Sequence, residues 1–257
     1  MEFKNIVYSK SEGIATVKFN RPKMFNSLSV ATWKEIGAAL DDVEKDSAVR
    51  VVILTGEGKA FSAGDDISEF GELSKDPKTM NDFARMVVES MDRVEHLSKP
   101  VIASVNGMAM GGGCELVLCS DVVIASDKAV FGLPEGLIGA IAGVAVFKLP
   151  KIVGTKKAKE LILTGSTIDA SEAYRIGMIN KVVPHDQLEA ETLKMAKKMA
   201  AMAPISAKVA KEMINLTSGK LDLDRAADIA SRIMTTNDFK EGFDAFMNKR
   251  PPVFKGN

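Results

Sequence analysis

Apolar positions along the chain change spacing in a way that separates strands from helices. Ile6 to Tyr8 and Ile14 to Phe19 alternate and flank a turn around Glu12 and Gly13, so two short strands are expected there. From Ser29 to about Glu44 the residues Val30, Trp33, Ile36, Leu40 and Val43 recur at helical spacing. Val51 to Leu54 is an unbroken apolar run closed by Thr55 and Gly56, the pattern of a strand buried on both faces. A helix is expected from about Met80 to Leu97, then a second buried strand at Val101 to Val105 after Lys99 and Pro100. Gly111, Gly112 and Gly113 open an apolar segment, Cys114 to Cys119, that reads as a short helix. Val122 to Ala125 and Ala129 to Gly132 read as further short strands.

Strand and helix in alternation predict a layered α/β fold with a largely parallel sheet. Beyond about residue 186 the strand signals vanish, and Met, Ala, Lys and Leu predict three or four helices to about Met247. No low-complexity linker marks the change. The expected division is a core over 1–199 and a helical region over 200–257.

Composition narrows the class. The 257 residues suffice for a real hydrophobic core, with apolar residues at 46% and charged residues at 26%. Lys plus Arg equals Asp plus Glu at 34 each, so no global field draws in nucleic acid or an anionic membrane. Lys148, Lys151, Lys156, Lys157 and Lys159 form a basic run that reads as a solvated helix face. Two cysteines, Cys114 and Cys119, make a disulfide framework improbable and read as small buried apolar groups. No signal-peptide pattern opens the chain and no apolar run is long enough to span a bilayer. A soluble protein of the reducing cytoplasm is expected, without membrane or nucleic-acid partners.

Candidate chemistry gathers around the glycines. In Asn106 to Glu115 a strand enters a glycine-rich turn and the turn enters a helix, whose first N–H groups lack partners inside it. They can hold a phosphate, a carboxylate or a developing oxyanion. The same glycines would also serve close helix–strand packing. No Gly-Lys-Ser/Thr follows and the G-x-G-x-x-G spacing is not met, which removes the common nucleotide loops. Glu115 stands in the first turn of that helix, and Glu135 lies in the Phe131 to Gly136 loop. Two carboxylates in apolar surroundings can divide acid and base duties around one water. Ala60 to Ile67 offers a turn of small residues whose N–H groups could also face a ligand. His96 and His185 read as surface residues, and no Ser-His-Asp set or G-x-S-x-G elbow occurs. No metal-ligand spacing is present.

At these segments the sequence resembles the crotonase, or enoyl-CoA hydratase/isomerase, superfamily over essentially the whole chain. The resemblance runs through Asn20 to Leu28 (similar to N-R-P-x-x-x-N-A-L), Phe61 to Ile67, Lys99 to Ala103, Asn106 to Glu115 and Phe131 to Glu135. It closes with Phe239 to Phe246 and Lys249-Arg250. It implies a spiral of ββα repeats followed by C-terminal helices that build a homotrimer or a homohexamer. It implies an oxyanion hole from the N–H groups of Asp65 and Gly112, with Glu115 and Glu135 as the catalytic pair. Ala63, Asp66 and Ile67 would lie by the adenine end of coenzyme A, Gly143 by the water, and Lys23 and Lys249 by the phosphates. No separate cofactor is implied, because coenzyme A enters as part of the thioester substrate.

Hydration of a 2-enoyl-CoA is the implied activity. A shift of a 3,4-double bond to 2,3 is the alternative on the same scaffold, and a non-catalytic acyl-CoA binder or an RNA binder is the reading outside enzymes. Two positions depart from the hydratase pattern. Asp65 stands where a small residue is usual, and Ala142 to Lys148 replaces a segment close to P-G-A-G-G-T-Q-R, with Val144 and Val146 making the wall bulkier.

Overall fold

In a computed structural model, which describes residues 3–216 and 236–257, the chain winds through two sheets. It begins with β1 (Ile6–Ser11), β2 (Ile14–Phe19), α1 (Val30–Lys45), β3 (Val51–Gly56) and β4 (Ala60–Ser62). A short α2 (Phe70–Leu73) precedes α3 (Pro77–His96), then β5 (Val101–Val105), β6 (Met108–Met110) and α4 (Gly112–Cys119). Next come β7 (Val122–Ser126), β8 (Val130–Gly132), α5 (Ala145–Val153), α6 (Thr155–Thr164), β9 (Thr167–Asp169) and α7 (Ala170–Arg175). The chain ends with β10 (Lys181–Val183), α8 (Leu188–Ala200), α9 (Pro204–Leu216) and α10 (Asn237–Met247).

The six-stranded sheet has the order β1-β2-β3-β5-β7-β10, and the four-stranded sheet has the order β4-β6-β8-β9. Only β1 with β2 and β8 with β9 pair antiparallel; the other neighbours are parallel. Each turn of the spiral lays one long strand in the first sheet and a three-residue strand in the second, then leaves through a helix. β3-β4-α3, β5-β6-α4 and β7-β8-α5 repeat that course, as the ββα expectation requires.

The expected strands and the helices α1 and α3 are present within a few residues. Of the three or four C-terminal helices, α8, α9 and α10 are seen, and the expectation for 217–235 lies outside the described residues. The short helix begins at Gly112 rather than Cys114, so Gly112 and Gly113 belong to its first turn. β4, β6, β9 and β10 escape a periodicity reading because three residues carry hardly one period. The basic run lies on helix, as expected, but on two helices rather than one face: α5 holds Pro150 inside it and Gly154 splits it from α6.

Trp33, Phe19, Phe61 and Phe131 fill the core with almost no exposure, and the rings of Phe19 and Phe61 meet edge-on at 5.2 Å. Helix α8 packs against the first sheet through Ala196, Met195 and Met199 on Ile14, Val51, Ile53 and Ile102. These two methionines fill space in that contact, whereas Met202 is exposed. The following helix, α9, is pinned by a buried cation. Lys211 Nζ pairs with Asp121 Oδ2 at 2.8 Å and donates to the carbonyls of Val94 and Lys99. His96 and His185 are exposed, as read from the sequence. In the basic run Lys157 pairs with Glu160 and Glu172, and Lys148 pairs with Glu95. No helix among the described residues is long and apolar enough to cross a membrane.

Candidate active site

Two backbone segments meet at the centre of the spiral. After β4 the chain bridges to Leu28: the Leu28 N–H donates to Gly64 O and the Asp66 N–H donates to Leu28 O. In a parallel bridge of this kind the intervening N–H, that of Asp65, points to the other side. Gly64 has φ of +90°, and a Cβ there would stand 2.8 Å from Met110 O and 3.2 Å from Gly112 N. The Asp65 turn is thus pressed against the head of α4. Gly112 is the first helical residue, so its N–H has no partner within the helix. Asp65 and Gly112 both line one cavity.

All eight residues of α4 are buried, which carries Glu115 into the interior at 5% exposure. Its Oε1 accepts the N–H groups of Val144 and Ala145, each at 2.8 Å, at the head of α5. An anion is favoured at a helix N-terminus. Burial raises the Glu115 pKa, and those two N–H bonds pull against the rise.

Glu135 opens a 3-10 turn, Glu135–Ile138, directly after Pro134. Its carboxyl lies over Gly111, with Oε1 3.3 Å from where a Cβ would stand. Both carboxyl oxygens are buried with no hydrogen-bond partner among the described residues. Burial pushes the group up to about 7, and the negative charges of Glu115 and Asp65 add to the rise.

Asp65 brings a third carboxyl to the same cavity. Its Oδ1 accepts the indole N–H of Trp33 at 2.8 Å. Burial lifts it to about 6 against that bond, with Glu115 and Glu69 contributing.

The cavity holds about 660 Å³. Ala63, Asp65, Ile67, Gly112, Glu115, Glu135 and Gly143 line it, and Phe70, Met80, Phe83, Val87 and Met91 form an apolar lobe. Ile67, Leu137, Ile138 and Ile141 stand exposed around the mouth. Three residues singled out from the sequence are not on this wall. Asp66 turns inward, where its Oδ2 pairs with Arg21 at 2.8 Å and its Oδ1 accepts from Ser68. Lys23, in the 3-10 turn Pro22–Met24, and Lys249, just past α10, are exposed on the surface. Among the described residues no group of His, Cys, Asp and Glu is arranged to hold a metal ion.

Cys114 and Cys119 are both free and buried, and burial pushes the Cys119 thiol up to about 12 and the Cys114 thiol higher still. Sequence reasoning missed Trp33 as the partner of Asp65 and the Val144 and Ala145 amides as the partners of Glu115. Local pattern marks Trp33 only as a core-facing helix position, and the contacts span 29 to 32 residues.

A spiral of ββα turns around one cavity lined by two glutamates, with the head of α4 between them, defines the class. Residues 9–257 match the enoyl-CoA hydratase/isomerase family, and the chain belongs to it. It is similar to the crotonyl-CoA hydratase of Syntrophomonas wolfei, 39% identical over 99% of both chains. It is also similar to the short-chain-enoyl-CoA hydratase of Clostridium acetobutylicum, 40% identical over 97% of both. The crystal structure of an enoyl-CoA hydratase from Bacillus anthracis superimposes with a TM-score of 0.92 at 36% identity. That match covers 99% of this chain and all of the other, 100%.

Proposed function

We propose that this chain is an enoyl-CoA hydratase, adding water reversibly and syn across the 2,3-double bond of a 2-enoyl-CoA to give the 3-hydroxyacyl-CoA. The observation that carries the reading is the unequal bonding of two glutamates over one cavity. Glu115 accepts two N–H groups, whereas Glu135 accepts none. Two carboxyls whose surroundings push their pKa values apart take opposite roles.

Glu115, whose two N–H bonds favour the carboxylate against the rise that burial causes, serves as the base, and Glu135, pushed up to about 7 with no such bond, serves as the acid. The thioester carbonyl accepts the N–H groups of Asp65 and Gly112. One water sits between the glutamates beside Gly143. Its oxygen bonds to C3 as Glu115 takes a proton from it, and the electrons of the double bond move toward the thioester oxygen. The resulting enolate takes the Glu135 proton at C2. Solvent then returns a proton to Glu135 and removes one from Glu115. One oxyanion donor of this kind lowers the barrier by about 2.7–4 kcal/mol.

Ala63 and Ile67 at the mouth fit the adenine end of coenzyme A. Asp66 supports them from behind, its carboxylate pairing with Arg21 rather than meeting the ligand. Lys23 and Lys249 would reach the phosphates, the latter from a neighbouring subunit of a homotrimer or a dimer of trimers. Coenzyme A arrives with the substrate, and the two-carboxylate chemistry calls for no separate cofactor. Residues 200–257 are assigned to oligomer formation, and exposed Phe147 and Leu163 suit a subunit contact.

The test is loss of the ultraviolet band of the conjugated thioester when purified protein meets crotonyl-CoA. Rapid loss, abolished in Glu135→Gln, supports hydration. A stable band with crotonyl-CoA and with longer 2-enoyl thioesters defeats it.

A further inference from the structure

Hydration uses the side chains of only two of the three carboxylates on the cavity wall. Asp65 contributes its backbone N–H, and its carboxylate is left over. An anion there opposes the reaction, because Oδ1 lies 3.4 Å from the point a Cβ would occupy on Gly112. The Gly112 N–H is the other donor to the developing oxyanion.

The Asp65 side chain is nevertheless built in. Trp33 leaves the first turn of α1 fully buried at 0% exposure and holds Oδ1 at 2.8 Å. The indole ring also reaches the Gly112 wall, its Cζ2 being 3.5 Å from the same Cβ point. A carboxylate fixed by a core indole presents one orientation to the cavity. Among the described residues no Lys, Arg or His lines that cavity, and the ionisable groups that face Asp65 are the carboxyls of Glu115, Glu135 and Glu69. Among the described residues the Trp33 N–H is the one donor to this carboxyl, so a donor on the ligand would complete its bonding. A buried acceptor with spare lone pairs selects a ligand that brings a donor.

We propose that Asp65 sets acyl specificity, its carboxylate accepting a hydrogen bond from a hydroxyl or ammonium group on the acyl chain. The preferred substrates are then 2-enoyl thioesters with a donor a few atoms from the double bond, and plain alkyl chains are second best. The assignment rests on the thioester carbonyl lying at the two N–H groups, which places the first acyl carbons among Asp65, Glu115 and Glu135. It deepens the hydratase reading and does not depend on turnover.

Binding of three saturated thioesters by calorimetry tests it: butyryl-CoA, 4-hydroxybutyryl-CoA and 4-(dimethylammonio)butyryl-CoA, whose tertiary ammonium donates an N–H but cannot close a stable lactam. None can be hydrated, so the readout stays separate from any failure of the hydratase reading. The hydroxyl analogue is expected to bind the unaltered protein about tenfold more tightly than butyryl-CoA, the worth of a hydrogen bond to a charged acceptor. The ammonium analogue is expected to bind at least as well as the hydroxyl one. In Asp65→Ala both advantages fall to about twofold or less. Asp65→Asn keeps the shape and the Trp33 bond and is expected to lose the ammonium advantage first. A merely structural Asp65 would shift all three ligands together. Equal binding of the three by the unaltered protein, or advantages that survive Asp65→Ala, would overturn the proposal.

Discussion

The Ala145 N–H donates to Glu115 Oε1 at 2.8 Å, and the Val144 N–H joins it at the same distance. A cavity acid is therefore also the cap of the helix that closes the cavity. The orientation of the carboxylate and the starting point of α5 are one arrangement, so neither can shift without the other.

Glu115→Gln separates the two duties. The amide oxygen of glutamine still accepts both N–H groups, so the fold is expected to hold and the melting midpoint to stay within a few degrees. Removing the base is expected to slow hydration of crotonyl-CoA by about 10²–10⁴-fold. Glu115→Ala removes the cap as well and is expected to cost about 1–2 kcal/mol more in chemical denaturation. Turnover near the unaltered rate in a folded Glu115→Gln protein would remove this residue from the mechanism.

Glu135 supplies a pH signature. Hydration needs it protonated, so kcat/KM for hydration is expected to fall as pH rises through about 7, and dehydration to rise. The Asp65 charge lifts Glu135, so Asp65→Asn is expected to move that limb to lower pH. The same group affects stability. Its folded pKa lies above the ordinary 4.5, so the native state holds this proton more tightly than the unfolded chain. This contribution declines as pH rises from that value to about 7 and is flat beyond. Glu135→Gln is accordingly expected to melt above the unaltered protein at mildly alkaline pH and to lose that advantage in acid.

Gly113 is held against Ser62. A Cβ there would stand 2.7 Å from both Ser62 Cβ and Ser62 O. Gly113→Ala is expected to push the head of α4 away from β4, costing about 1–3 kcal/mol. The Gly112 and Asp65 N–H groups would part at the same time. Lower kcat in a still-folded variant, seen beside urea denaturation, checks both effects.

Lys211 is buried against Asp121. Lys211→Met leaves that carboxylate without its cation and is expected to cost about 3–5 kcal/mol. The double variant with Asp121→Asn is expected to recover a good part of the loss. Equal losses in the single and double variants would show that the pair contributes little beyond packing.

Repetition and periodicity made part of this molecule legible in advance. Helix α1 declares itself through Trp33, Ile36 and Leu40, which the structure buries, and β3 and β5 through unbroken apolar runs. The glycines before Glu115 and the loop around Glu135 located the two acids. What the sequence hid was long-range. Nothing near Asp65 foretells an indole arriving from 32 residues away, and nothing near Glu115 foretells N–H groups from 29 and 30 residues away. The inward turn of Asp66 toward Arg21 is of the same kind, since adjacent aspartates look alike until the bridge to Leu28 assigns them opposite sides.

The two cysteines bear on how this protein can be watched. Cys114 and Cys119 are buried, with thiols held far from ionisation at neutral pH, and they are the only cysteines in the chain. Maleimides and iodoacetamides react with thiolates, so the folded protein should be silent to them. A single cysteine placed at the rim, as in Ile141→Cys, would then carry a fluorophore or spin label with no competing site. That label would report each thioester entering and leaving the cavity, including ligands that never react.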